Sequence, residues 1–344
     1  MSMLKKFILF SLIIGFGFYF GIPLPAHADS GINLTTSPLP VNLSANPGQT
    51  VATDLRIQNS SNTTQRIKVS LMKFSAFGES GKPALQNQAP GDDYFDWVSF
   101  NPTSFDAPPK QWVTVKMTIQ VPKTAAFGYY YAAVFSPADQ KPTGKGNVYL
   151  GSTAILVLLE VKSPNAKRSV AITDFSVDKR TYEFLPVNFS VRLHNDGNVH
   201  LLPAGSIYIK RGSKQVAVIP FDTQHGNILP NSYRIYTSSW NDGFPVYVDK
   251  TQNGQVMLDK NDKPVQQLHW DFTKLPHLKF GHYTANLLVV YDNGSRDVPL
   301  EASVSFWVVP WRIIAFVVVV GGLAIVGLWS TGRNIYKKIR RDKK

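Results

Sequence analysis

Histidines and carboxylates at close spacing are the residues of this chain that could hold a metal or move a proton, and such sets are few. His269 and Asp271 could supply two ligands to a cation. A surface or edge histidine is the plainer reading of these residues, and also of His282, which stands out of phase with Tyr283. Asp92, Asp93 and Asp96 precede Trp97 like a loose calcium site, but without the alternating Asp/Asn and Gly pattern of a defined loop, so a solvated loop is expected. There is no GxSxG, HExxH, P-loop or dinucleotide fingerprint. The absence of cysteine excludes disulfides, thiol nucleophiles, iron-sulfur clusters and Cys-ligated zinc. The expectation is a non-enzyme with no metal and no cofactor. An ectoenzyme would need a cleft where acids and histidines converge, which spacing alone leaves open.

The aromatic residues are the better candidates for function. Tyr129, Tyr130 and Tyr131, with Trp97, Phe100, Phe105 and Trp112, make either a core or a surface that binds sugar or protein. On a strand, Tyr129 and Tyr131 face one way and Tyr130 the other, so one of the two faces is outside the core or lies under a neighbouring domain. Tyr129, Tyr131, Trp97 and Trp112 are therefore taken as a candidate binding surface. The Asn253-Gly254 turn is a second candidate contact.

The elements that must position these residues have a period of two. Thr50-Val-Ala-Thr-Asp-Leu-Arg-Ile-Gln58 alternates, as does Trp112-Val-Thr-Val-Lys-Met-Thr-Ile-Gln-Val121, with Pro- and Asn-rich turns between such stretches. Two landmarks recur in the same order. Leu55-Arg-Ile-Gln-Asn-Ser-Ser-Asn62 matches Val191-Arg-Leu-His-Asn-Asp-Gly-Asn198, and Phe127-Gly-Tyr-Tyr-Tyr-Ala132 matches Phe280-Gly-His-Tyr-Thr-Ala285. The pattern predicts an all-β chain with two immunoglobulin-like sandwiches, at residues 29–162 and 168–308. The boundary falls at Lys162-Ser-Pro-Asn-Ala-Lys-Arg168. Tyr130 and Tyr283 are candidates for a tyrosine corner. The landmarks lie 68 residues apart in the first copy and 85 in the second. The 17 extra residues fit a protruding hairpin near residues 240–270, centred on Asn253-Gly254.

The two ends predict an address. Lys5-Lys6, an apolar run from Phe7 to Ile22 and Ala26-His27-Ala28 read as a signal peptide over residues 1–28. Residues 313–332 are uncharged and long enough for a transmembrane helix, with Trp311 and Trp329 at its ends. Trp311, Arg312, Arg333, Lys337, Lys338, Arg340 and Arg341 form the anchor's flanks, and the basic tail 333–344 is expected in the cytoplasm. The sandwiches would then lie outside the cell, with the chain crossing the membrane once. The net charge of +13 sits mostly at these ends, leaving 26 bases against 22 acids between them, too weak an excess to suggest nucleic acid.

With Ser37-Pro38, Asn46-Pro-Gly-Gln49, Asn59-Ser-Ser-Asn62, Val121-Pro122 and Gly128-Tyr-Tyr in a first β domain, followed by a second β domain, an apolar helix and a basic tail, the chain resembles the bacterial surface proteins that interact with WxL proteins. The resemblance implies a first domain that binds peptidoglycan and a second that binds a partner or host protein. It brings no residue-level ligand motif. The expected function is non-enzymatic binding of cell-wall polymer or another envelope protein. The alternative is a chaperone-like accessory for the assembly or secretion of surface proteins, with Tyr149-Leu-Gly-Ser-Thr-Ala-Ile-Leu-Val-Leu-Leu-Glu-Val161 as the strand edge to suspect unless it is buried core. Ligand and oligomeric state stay open.

Overall fold

A computed structural model describes residues 33–138 and 151–341; the signal-peptide segment 1–28 lies outside the described residues. The period-two stretches are strands, and they form two β-sandwiches in succession.

In the first sandwich, one sheet runs in the order β1 (Leu34–Ser37), β3 (Thr50–Asn59), β8 (Trp112–Gln120), β6 (Val98–Asn101). The facing sheet runs β2 (Val41–Ala45), β10 (Thr153–Val161), β9 (Phe127–Pro137), β4 (Gln65–Phe77), β5 (Lys82–Gln86), and β7 (Ser104–Ala107) also pairs with β4. Alternate residues fill the space between the sheets: Leu55 and Ile57 from β3, Val115, Met117 and Ile119 from β8, Tyr131, Ala133 and Phe135 from β9, and Ile155, Val157 and Leu159 from β10. Each buried Val, Leu, Ile, Met or Phe among them contributes about 1.5–3 kcal/mol relative to an exposed position, so the alternation itself specifies which face turns inward.

The second sandwich repeats the plan. One sheet is β11 (Val170–Val177), β13 (Val187–Asn195), β16 (Ser232–Trp240); the other is β12 (Thr181–Tyr182), β22 (Asp297–Val308), β21 (Gly281–Asp292), β14 (Ala204–Arg211), β15 (Lys214–Pro220). In both copies the leading segment changes sheets. β1 pairs antiparallel with β3, then β2 runs parallel to β10; β11 pairs antiparallel with β13, then β12 runs parallel to β22. Asn59 lies opposite Leu34, the first residue of β1, and Asn195 lies opposite Val170, the first residue of β11, so the repeated Asn landmark holds one register in both.

The second landmark is offset by one residue. Phe127 pairs with Val161 and Gly281 with Val308, and both Phe127 and Gly281 have positive φ (71° and 119°). Tyr283 therefore corresponds to Tyr129 rather than Tyr130. The Tyr283 hydroxyl accepts from the Phe280 amide (3.2 Å), and the Tyr129 hydroxyl accepts from the Ala126 amide (3.4 Å), three residues upstream in each copy.

Forty residues separate β16 from β21, where six separate β8 from β9. This insertion holds two short ribbons and a single 3-10 turn, Phe272–His277. β17 (Val246–Asp249) pairs with β20 (Gln266–His269), and β18 (Thr251–Gln252) with β19 (Gln255–Val256). Asn253 and Gly254 join the last two at φ of 53° and 78°, the left-handed pair that a two-residue hairpin needs. After β22 only Val309 and Pro310 precede α1 (Trp311–Arg341). Within Trp311–Asn334 of α1 an 18-residue stretch has a mean hydropathy of 2.5 and is not buried against the described residues, long and apolar enough to cross a membrane.

Candidate functional site

The β2–β10–β9–β4–β5 sheet is apolar on both faces. Its inner face belongs to the core, while its outer face carries Met72 and Phe74 from β4, Ala132 and Val134 from β9, and Leu158 from β10, with Tyr130, Ala154, Leu156 and Leu229 against them. An antiparallel sheet covered on one side alternates apolar with polar, so a doubly apolar sheet needs a second cover or a ligand. The second sandwich supplies part of the cover. Leu229 packs on this face, and His200 meets the Tyr130 ring edge-on at 5.7 Å. Burial there holds the His200 imidazole down to about 4, and it raises the Tyr130 hydroxyl well above the ordinary tyrosine range.

Beside this contact the two domains leave a cleft of about 240 Å³. Its apolar wall is Leu39, Phe74, Leu156 and Leu158, and the charged side chains on its lining are Lys82 and Arg234, with no carboxylate among them. Arg234 lies between Gly81 of the first sandwich and Gly226 of the second, where an added Cβ would approach its guanidinium to 2.4 Å and 2.0 Å. Its Nη1 donates to the Asn227 carbonyl (2.8 Å), and among the described residues no carboxylate pairs with it.

The cleft is framed by a docked hairpin. Glu79, between β4 and β5, accepts two bonds from the Arg192 guanidinium (2.8 and 2.6 Å), and its carbonyl accepts from the Ile235 amide on edge strand β16 (2.7 Å). The Arg192 guanidinium lies 3.8 Å from the centre of the Tyr233 ring, which also stacks on His194 at 4.1 Å. The bonds from Arg192 hold the Glu79 carboxyl below its ordinary value. Asn227 donates to Asn42 across the same junction (3.1 Å), and Arg168 in the linker pairs with Glu160.

One wall of the cleft is a strand with a partly open edge. β10 is paired along its whole length with β9, but β2 reaches only residues 157–161, so among the described residues 153–156 have no strand on that side. The suspected edge segment 149–161 thus divides: its second half is closed by β2, its first half faces the cleft through Leu156, and residues 149 and 150 lie outside the described residues.

The residues expected to form a binding surface are not brought together there. Tyr131 is completely buried and donates its hydroxyl to the Tyr94 carbonyl (3.2 Å); Tyr129 and Trp97 pack ring to ring at 4.7 Å against the same core. Tyr131 is in the core, while Tyr129 and Trp97 are partly buried and pack against it. Trp112 is half exposed on the outward phase of β8, in the other sheet, and Asn253 and Gly254 are exposed at the insertion's tip. His269 lies on β20, while Asp271 caps the 3-10 turn by accepting from the Thr273 amide and hydroxyl. Asp92 pairs with Lys73 (2.6 Å) and accepts from the Ala89 amide. Among the described residues, no three His, Cys, Asp or Glu side chains group as metal ligands do. In the anchor flank, Arg312 pairs with Glu183 at 3.3 Å and Arg333 lies over the Trp329 ring; Lys337, Lys338, Arg340 and Arg341 are in the last turns of α1, described by backbone alone. The cleft residues Phe74 and Arg234, and the Glu79–Arg192 pair beside them, had one sequence signal nearby, the unbroken apolar run Ala154-Ile-Leu-Val-Leu-Leu159, which is too continuous for a one-sided strand.

No protein-family profile and no curated protein matches the chain. Among solved structures it is similar to the class 5 fimbriae chaperone CfaA, at 14% identity and a TM-score of 0.35 over 79% of this chain and 98% of that one. It is also similar to the Pseudomonas aeruginosa chaperone CupB2, at 9% identity and a TM-score of 0.32 over 80% and 100%. A third is the CsuC–CsuE chaperone–tip adhesion subunit complex of Acinetobacter baumannii, at 14% identity and a TM-score of 0.32 over 59% and 89%. The functional reading rests on the cleft itself.

Proposed function

We propose that this chain is a non-enzymatic envelope protein, tethered by α1, whose two sandwiches hold an extended segment of another surface protein in the cleft between them. The sandwiches lie outside the membrane and the basic tail in the cytoplasm, the side on which Lys and Arg accumulate. One observation carries the reading: residues 153–156, which among the described residues have no strand on their β2 side, contribute Leu156 to an apolar cleft whose charged lining is basic. An extended segment bonded to that edge and continuing across the outer face of the sheet would set apolar side chains against Leu156, Leu158 and Phe74, and place an acidic group near Lys82 and Arg234. Of the four aromatic residues that a wall-polymer surface would use, Tyr131 is buried, Tyr129 and Trp97 are partly buried against the core, and Trp112 is half exposed in the other sheet.

The test is a photoreactive residue substituted for Leu156 in the full chain on intact cells of the source organism. Mapping of the cross-linked peptide is expected to show an extended, alternately apolar segment of an envelope protein. The yield should fall several-fold in a Phe74→Asp variant and be absent when the photoreactive group replaces Ser295. Equal labelling from both positions, or attachment only to wall polymer, would overturn the assignment.

A further inference from the structure

The insertion of residues 241–280 emerges at one end of the second sandwich, and the register shows which end. β21 begins at Gly281, opposite Val308, the residue with which β22 stops before the helix; Tyr182, the last residue of β12, also lies beside Val308. Trp240, where β16 runs into the insertion, packs against Tyr283 and Phe306 of the same end at 5.3 and 6.2 Å. The insertion and α1 therefore leave the sandwich together.

They are also held together. The Val309 amide donates to the Tyr182 carbonyl (2.8 Å), and Arg312, in the first turn of α1, pairs with Glu183 (3.3 Å), which accepts from the Tyr247 hydroxyl on β17 (3.3 Å). Phe184, the next residue, meets Tyr247 and Trp270 at 6.1 and 6.4 Å, and Trp270 stacks on Phe272 at 6.1 Å. Outward from this buttress the surface is apolar and, among the described residues, uncovered: Phe272 is 70% exposed, Leu275 54%, Phe280 47% and Trp270 46%. Lys274 is exposed among them, and Trp311 at the helix start is 58% exposed.

We propose that this patch is a membrane-docking surface, seated in the headgroup layer of the outer leaflet around the point where α1 enters. The inference rests on α1 being the membrane tether. Two bonded residues between β22 and α1 leave no slack to lift the sandwich, and the headgroup layer is about 5–7 Å deep on each side of a hydrocarbon core of about 30 Å. Aromatic rings with neighbouring Lys side chains are the chemistry that favours this layer, the rings at the boundary and the ammonium groups toward phosphate. A span combined with an interfacial patch fixes the tilt of the ectodomain, and so the direction in which the cleft faces.

The chain has no cysteine, so single labels can be placed cleanly. The full chain is reconstituted in vesicles of equal parts phosphatidylcholine and phosphatidylglycerol, with an environment-sensitive fluorophore on Leu275→Cys, Ser295→Cys or Val320→Cys. Ser295 lies in the turn at the far end of β21 and β22, about 40 Å away at about 3.3 Å per residue. Headgroup nitroxide lipid is expected to quench the Leu275→Cys label at least threefold more than the Ser295→Cys label, with aqueous iodide giving the reverse order. Equal quenching at the two positions would overturn the proposal, as would a Leu275→Cys label shielded from both quenchers, the result for a covering protein or a second copy. A Val320→Cys label out of reach of lipid quenchers would instead remove the tether reading, and this proposal with it.

Discussion

Asn59 and Asn195 are fully buried polar residues at matching positions, and their bonds explain why an amide side chain is needed there. The Asn59 amide donates to the Thr63 and Ala107 carbonyls (2.7 and 2.8 Å) and accepts from the Ser61 amide; Asn195 donates to Val199 and Ile228 (2.8 and 3.0 Å) and accepts from the Gly197 amide. Each closes its own turn and ties it to a distant segment. Asn195→Ala takes away the side-chain partner of the Val199 carbonyl and the Gly197 amide and one of two donors to the Ile228 carbonyl, which keeps the Leu201 amide, and is expected to cost about 2–3 kcal/mol in chemical denaturation, with Asn59→Ala similar. His200 acts at the same scale through protonation. Its folded value of about 4 lies below the ordinary 6.5, so the unfolded chain binds the proton first, and stability present above pH 6.5 is lost as pH falls toward 4. That gap corresponds to about 3 kcal/mol. The melting temperature should therefore drop between pH 7 and pH 4.5, and His200→Gln should flatten that drop; an unchanged slope in the variant would place the sensitivity elsewhere.

At the scale of elements, the strands were legible because alternation reports burial directly, and the repeat was legible at Asn59 and Asn195 because a buried asparagine cannot drift. The second landmark misled. Phe127-Gly128 and Phe280-Gly281 look aligned, yet the left-handed position is Phe127 in one copy and Gly281 in the other, and a slip of one residue on a strand exchanges its faces. For this reason Tyr130 rather than Tyr129 was matched to Tyr283. The insertion's size was masked by cancellation: 40 residues replace six between β16 and β21, while the first sandwich uses 52 residues between β3 and β8 where the second uses 36 between β13 and β16. The cleft was not legible, since no local pattern pairs Phe74 with Leu229. The left-handed position gives a clean test. Gly281 has φ of 119°, and an added Cβ would meet the Arg211 guanidinium at 3.1 Å, so Gly281→Ala is expected to cost about 1–3 kcal/mol, read from the shift in denaturation midpoint.

For the whole molecule, the angle between the sandwiches decides whether the cleft exists, and a small set of contacts sets that angle. Apolar cover from Leu229 and His200 is modest in area, so the docked β4–β5 hairpin carries the orientation: Glu79 grips Arg192 through its carboxylate and β16 through its carbonyl. The Glu79–Arg192 pair is partly exposed and screened, so its importance lies in geometry more than in stability. Removing it should leave each sandwich folded while widening the distribution of domain angles. Spin labels on Asn87→Cys in the first domain and Ser213→Cys in the second should give a narrow distance distribution in the otherwise native chain and a broad one in Arg192→Ala. The melting temperature is expected to change little. Charge reversal of both partners, Glu79→Arg with Arg192→Glu, should narrow the distribution again, because the pair's distances need complementary charge rather than a given sign order. Acid works in the same direction. His200 gains its cost first, between pH 6.5 and about 4, and Glu79, whose carboxyl is held below its ordinary 4.5 by Arg192, loses its bond only at lower pH. Broadening that begins above pH 5 in the native chain and is delayed in His200→Gln would show that the buried imidazole, and not the surface pair, sets the onset of domain release; broadening at the same pH in both would assign the onset to the carboxylates.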